Sequence, residues 1–158
     1  MHMKKLFIGA LVAVLALCAC SSEEKDLKYR GLSMALPFQT FCDSLQARGF
    51  LVDSAKTDSA WTRVVMAKDA EKYRLVIAQN DGIIQALQEN YQISTNDSTR
   101  RMWQQLRDQF EKDLNAWPNM PKHGDDHKIA KFEAPGGFIT ITLENTYKPT
   151  LSVLYQVK

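Results

Sequence analysis

The chain has no glycine-rich phosphate loop, no nucleophile elbow and no convincing acid–base pair, so the motifs that announce nucleotide binding or serine hydrolysis are missing. Long hydrophobic runs are missing too. The uncharged stretch from Leu6 to Ala19 counts 14 residues, short of the ~20 that a spanning helix needs. Cysteine is scarce: Cys18 and Cys20 stand at the end of that stretch, and Cys42 follows alone. Once the first two are used there, Cys42 has no partner in an oxidising compartment and the core must hold itself without a disulfide. No internal repeat is present.

What is there begins with Lys4-Lys5, a charge-free run from Leu6, and a small residue directly before a cysteine. This is the three-part pattern of an exported precursor. Leu17, Ala19 and Cys20 resemble the bacterial lipobox, with Cys18 as a small residue between them. The resemblance implies a signal peptide over 1–19, a lipid anchor of the palmitate type on Cys20, and Cys20 as the mature N-terminus. Simple secretion without lipid would need no cysteine after Ala19.

Taking 19 residues from 158 leaves 139, the size of one ordinary domain. Two of the 20 basic residues, Lys4 and Lys5, leave with the signal, so 18 basic side chains face 18 acidic ones. A neutral domain offers no electrostatic case for nucleic acid or for a polybasic membrane patch. Residues 20–30 read as a polar tether behind the lipid. Its acids Glu23 and Glu24 resemble the signal by which Bacteroidetes lipoproteins reach the outer face of the outer membrane.

Residues 31–158 then form a single α+β domain. Phe38, Phe41, Cys42, Leu45 and Gly49 recur at helical spacing, with Pro37 suited to the first turn and Gly49 to a left-handed cap. Strands are predicted at Phe50–Val52, Trp61–Ala67, Tyr73–Ala78 and Ile83–Tyr91, with Asn80-Asp81-Gly82 as a hairpin turn. From Thr99 to Trp117 a second amphipathic helix carries Met102, Trp103, Leu106, Phe110, Leu114 and Trp117 on one stripe, with Asn96, Asp97 and Ser98 as candidate caps and Pro118 as the stop. Asn119–Asp126 reads as a loop. Strands at Ile129–Glu133, Phe138–Glu144 and Thr150–Val157 complete an antiparallel sheet of about six or seven strands with both helices on one face.

Gly31-Leu32-x-Met34 and Phe38-x-x-Phe41-x-x-x-Leu45-x-x-Arg48-Gly49-Phe50 resemble the opening of a broad group of small Bacteroidetes outer-membrane lipoproteins of poorly defined function. Ser33 stands where that group usually has Pro, and Leu36 where it has a second Gly. The resemblance implies a fold and no chemistry, because the matched positions are core and cap residues.

Four features could carry chemistry. In His123-Gly124-Asp125-Asp126-His127, two imidazoles and two carboxylates lie within five residues and could meet a divalent metal. Cys42 could be a nucleophile, although its place on an apolar stripe is that of an inert thiol. Ser54, Ser59 and Ser98, each after Asp, resemble the short O-glycosylation signal of Bacteroidetes and fall in predicted loops. Thr140, Thr142, Ser152 and Gln156 mark an open sheet face beside an exposed edge at the last strand, where a partner could add. The expectation is a non-catalytic binding or accessory module anchored in the envelope, needing no cofactor, with an envelope protein or glycan as partner and no nucleic acid. The alternative is a small metal-dependent hydrolase using His123 to His127.

Overall fold

The computed structural model describes residues 25–158. The expected signal peptide, the lipidation residue Cys20 and the acids Glu23 and Glu24 lie outside the described residues. In chain order come β1 (Lys28–Tyr29), β2 (Leu32–Ser33), α1 (Phe38–Ala47), β3 (Leu51–Val52), β4 (Arg63–Ala67), β5 (Tyr73–Asn80) and β6 (Ile83–Tyr91). Then follow α2 (Asn96–Leu114), β7 (Asn119–His123), β8 (His127–Ala134), β9 (Gly137–Glu144) and β10 (Thr150–Val157). The fold is α+β, and its main sheet is larger than expected: eight antiparallel strands in the order β3-β4-β5-β6-β10-β9-β8-β7, with β1-β2 as a separate hairpin. No helix among the described residues is long and apolar enough to cross a membrane.

Local chemistry accounts for most boundaries. Gly49 at φ 90 lets Phe50 N–H reach the Leu45 carbonyl at 3.1 Å and its own N–H reach Gln46 at 2.8 Å, the paired bonds of a Schellman cap. Phe50 is thereby turned into the core. Pro37 is the N-cap rather than a first-turn residue, and its carbonyl accepts the Phe41 N–H. Asp81 and Gly82 both have positive φ, as the tight turn between β5 and β6 requires. At α2 the cap is Thr95, whose hydroxyl accepts the Ser98 N–H at 3.2 Å, so the helix starts ahead of the expected Thr99. It ends at Leu114, because Asn115 turns left-handed.

Inward residues line up across the sheet. One row runs Val64, Ile77, Leu87, Tyr155, Ile139, Phe132; the next runs Met66, Leu75, Glu89, Val153, Ile141, Ala130. The stripes of α1 and α2 join these rows in one hydrophobic cluster, so both helices cover the same face. Phe110 of α2 touches the rings of Phe132 and Tyr155 at 5.8 and 6.2 Å between centroids. Gln85 has no partner opposite it, because Ala86 pairs with Ala78 and Ile84 with Gln79. This bulge turns Ile84 inward and leaves Ile83 exposed.

Several expectations are corrected here. Residues 25–30 do not all belong to a tether: Leu27 and Tyr29 are buried in the core. Gly136, at φ 71, sits so close to this segment that a Cβ there would come within 2.5 Å of the Leu27 nitrogen and the Lys25 oxygen. Asn119–His123, expected as loop, is strand β7. Trp61 lies before β4 in a left-handed turn residue, not in the strand. Trp117 leaves the helical stripe altogether and stands 87% exposed.

Candidate functional site

The β1-β2 hairpin lies over the sheet and brings a carboxylate, a guanidinium and four tyrosines together. Glu89 is 1% exposed on β6, at a position whose neighbours in the row are Leu75 and Val153. Such a carboxylate persists in an apolar row only when its oxygens are paired. Oε1 accepts from the Tyr29 hydroxyl at 2.9 Å and from Arg30 at 3.0 and 3.3 Å; Oε2 accepts from Tyr91 at 2.8 Å. The Tyr29 and Tyr73 hydroxyls lie 3.3 Å apart. Because the Tyr29 proton points at the carboxylate, Tyr73 donates to Tyr29.

Arg30 reaches Glu89 from a left-handed backbone position, φ 47, at the tip of the hairpin. Its guanidinium also lies over the Tyr73 ring, 5.0 Å from the centroid. Burial works against its charge, but Glu89 and the tyrosine oxygens more than restore it and hold its pKa above the ordinary value. Burial, then the charge of Glu89, push the Tyr29, Tyr91 and Tyr155 hydroxyls well above the usual phenol range; burial also raises Tyr73. Tyrosines held this firmly protonated and a carboxylate with both oxygens in use form a fixed polar floor.

Above that floor opens a cleft of about 420 Å³ between the hairpin and α2. Leu106, Phe110 and Leu114 form its helix wall, Ile139 and Tyr155 share the floor with Glu89, and Lys28 and Arg30 stand at the hairpin side. A recess with apolar walls and a few fixed polar groups is the usual form of a small-ligand site.

The residues singled out from sequence are dispersed. Asp126 pairs with Arg100 at 2.6 Å, and the Asp125 carbonyl accepts from the same guanidinium at 3.3 Å. His127 Nδ1 lies 3.5 Å from Glu144, while His123 faces a hollow beside Trp117. The segment is thus the tight connection of β7 to β8, tied to α2 by Arg100. Among the described residues no group of three or more His, Cys, Asp or Glu side chains converges for a metal ion. Cys42 is buried, and burial pushes its thiol up to about 11.

Ser54 and Ser59 are exposed between β3 and β4, but Ser98 lies in the first turn of α2, where its hydroxyl meets Thr95 at 2.9 Å. Thr140, Thr142 and Ser152 do share the open face, half-exposed, with the exposed Gln156. The last strand is not an edge: β10 is central, between β6 and β9. The true edges are blunted, β3 by its two-residue length and β7 by Pro121 and a register shift between Asn119 and Lys122.

Sequence reasoning missed Glu89. Its signal was parity: Leu87 and Tyr91, two residues either side, are inward-type residues, which puts a carboxylate in the core and demands a cation. No family model, curated protein or solved structure matches this chain.

Proposed function

We propose that this protein is a non-catalytic binding or accessory module of the cell envelope, held at the outer membrane by a lipid on Cys20 and receiving part of an envelope protein or glycan in the cleft between α2 and the β1-β2 hairpin. The observation that carries this reading is the cleft of about 420 Å³ over the Glu89 floor. The floor of the recess is a buried carboxylate whose two oxygens are already paired by Tyr29 and Tyr91, and a preformed recess lowers the ordering cost of association. The lipid position follows from the lipobox resemblance. The tether enters the fold at Leu27, beside the hairpin, so the anchor and the cleft share one end of the chain.

The test is affinity capture of the full chain from its own envelope, with Cys20→Ala and the cleft-filling Leu106→Trp alongside. A stoichiometric companion is expected with the wild type and lost with either variant. The anchor is refuted if Cys20→Ala stays in the membrane fraction like the wild type. The cleft is refuted if a folded Leu106→Trp protein retains the same companion.

A further inference from the structure

Trp117 is the aromatic that the α2 stripe ought to have buried, and the backbone that carries it is held on both sides. The backbone on its N-terminal side is pinned by the left-handed cap, where the Asn115 and Ala116 N–H groups reach carbonyls of the last helical turn. On its C-terminal side Pro118 confines it to extended backbone, and β7 begins one residue later. An indole 87% exposed thus projects from backbone that is held on both sides.

The same indole helps line a hollow of about 380 Å³ with Arg107, Glu111, Pro118, Met120 and His123. Arg107 and Glu111 pair at 3.3 Å and are only 24% and 22% exposed. Arg107 is fixed further by Asp108 at 2.7 Å and by the Trp103 ring, 5.6 Å from its guanidinium carbon. The hollow therefore joins an aromatic face to planar hydrogen-bonding groups whose charges already compensate each other.

We infer that this hollow binds an uncharged saccharide, one pyranose ring of it stacked on Trp117, with its hydroxyls on Arg107, Glu111 and His123. A pyranose has a C–H face and a rim of hydroxyl groups, the two surfaces this hollow presents together. A charged ligand would compete with an ion pair that is already made. A protein partner fits less well: an interface anchor is enclosed on all sides by neighbours that exclude water, and here the indole stands 87% exposed with Pro118 and Met120 on one side and the Arg107–Glu111 pair on the other. Pro121 and the β7 register shift also deny that rim to strand pairing. The inference is independent of the α2 cleft and of the lipid anchor.

The test is an indole-region ¹⁵N–¹H spectrum of the full chain in sugar-free detergent, titrated with methyl glucoside, methyl galactoside, methyl mannoside and N-acetylglucosamine. The three indoles, Trp61, Trp103 and Trp117, report separately. Saturable movement of the Trp117 signal by at least one sugar is expected, retained in Trp117→Phe probed through backbone signals of Arg107 and His123. Trp117→Ala should weaken binding about tenfold or more, the scale of one stacked ring. Movement that does not saturate, movement confined to Trp61, or no response to all four sugars overturns the inference. Trp117-dependent capture of a protein without a sugar response overturns it in favour of a protein interface.

Discussion

Replacing Glu89 by alanine removes a carboxylate that four hydrogen bonds reach, from Tyr29, Tyr91 and twice from Arg30. Breaking a buried pair costs about 3–5 kcal/mol when the surviving charge stays buried. Arg30 does not stay buried: its side chain is 48% exposed and can turn back to water from the hairpin tip. The tyrosines cannot follow it. Tyr29 is fully buried and Tyr91 packs against Tyr73 at 5.3 Å, so two hydroxyls lose a charged acceptor at about 1.5 kcal/mol or more each. The expected loss is about 3 kcal/mol, out of the roughly 5–15 that a domain possesses. Urea unfolding reads it as a midpoint lowered by about 1–2 M at unchanged slope. The partner variant Arg30→Ala should cost at least as much, about 3–5 kcal/mol, because it leaves the Glu89 carboxylate buried without its cation, and the double variant should fall short of the sum because the two sites couple. A Glu89→Ala loss within about 0.5 kcal/mol, the range of surface substitutions, would refute the view of Glu89 as the keystone of the hairpin.

Alkaline pH should unfold the protein steeply. The folded state holds the Tyr29, Tyr73, Tyr91 and Tyr155 protons more tightly than the unfolded chain, whose phenols titrate near 10. For Tyr29, Tyr91 and Tyr155 the contribution is whole below pH 10 and lost as pH rises above it, at up to about 1.4 kcal/mol per unit each; circular dichroism against pH measures the slope, and Tyr29→Phe should make it shallower. Cys42, raised from 9.0 to about 11, should stay unreactive to thiol reagents in the folded protein at pH 8 and react as soon as urea unfolds it. Gly136→Ala should destabilise by about 2 kcal/mol or more, since its Cβ meets backbone at Lys25 and Leu27 and φ is 71. Gly82→Asn, at φ 77 but with open space around it, should cost less, about 1 kcal/mol, and thermal melts of the two variants compare them.

Where periodicity is long, the sequence was enough. The stripe Phe38, Phe41, Cys42, Leu45 and the Gly49 cap described α1 almost to the residue, and Asp81-Gly82 placed the β5-β6 turn. β1 and β2 are two residues each and carry no period, and no helix cap leads into them as the Gly49 cap leads into β3, so they and the burial of Tyr29 were invisible. Pro121 and the polar neighbours of β7 read as loop because an edge strand is designed to look unlike a strand. Trp117 continued the helical spacing, and only the left-handed Asn115 took it off the stripe. Strand order was beyond local signals, since nothing in Thr150–Val157 says that it pairs with β6 as well as β9. The cleft followed from that same order, because it needs β6, β10 and β9 side by side.

The central position of β10 makes the sheet the last thing this chain can finish. Until residues 150–157 are available, β3 to β6 and β7 to β9 are two separate antiparallel pieces, with only α2 to connect them in sequence. Loop closure between distant segments delays folding in any protein. Losing the last strand would then not trim the domain but divide it, leaving β6 and β9 as two new unpaired edges open to aggregation.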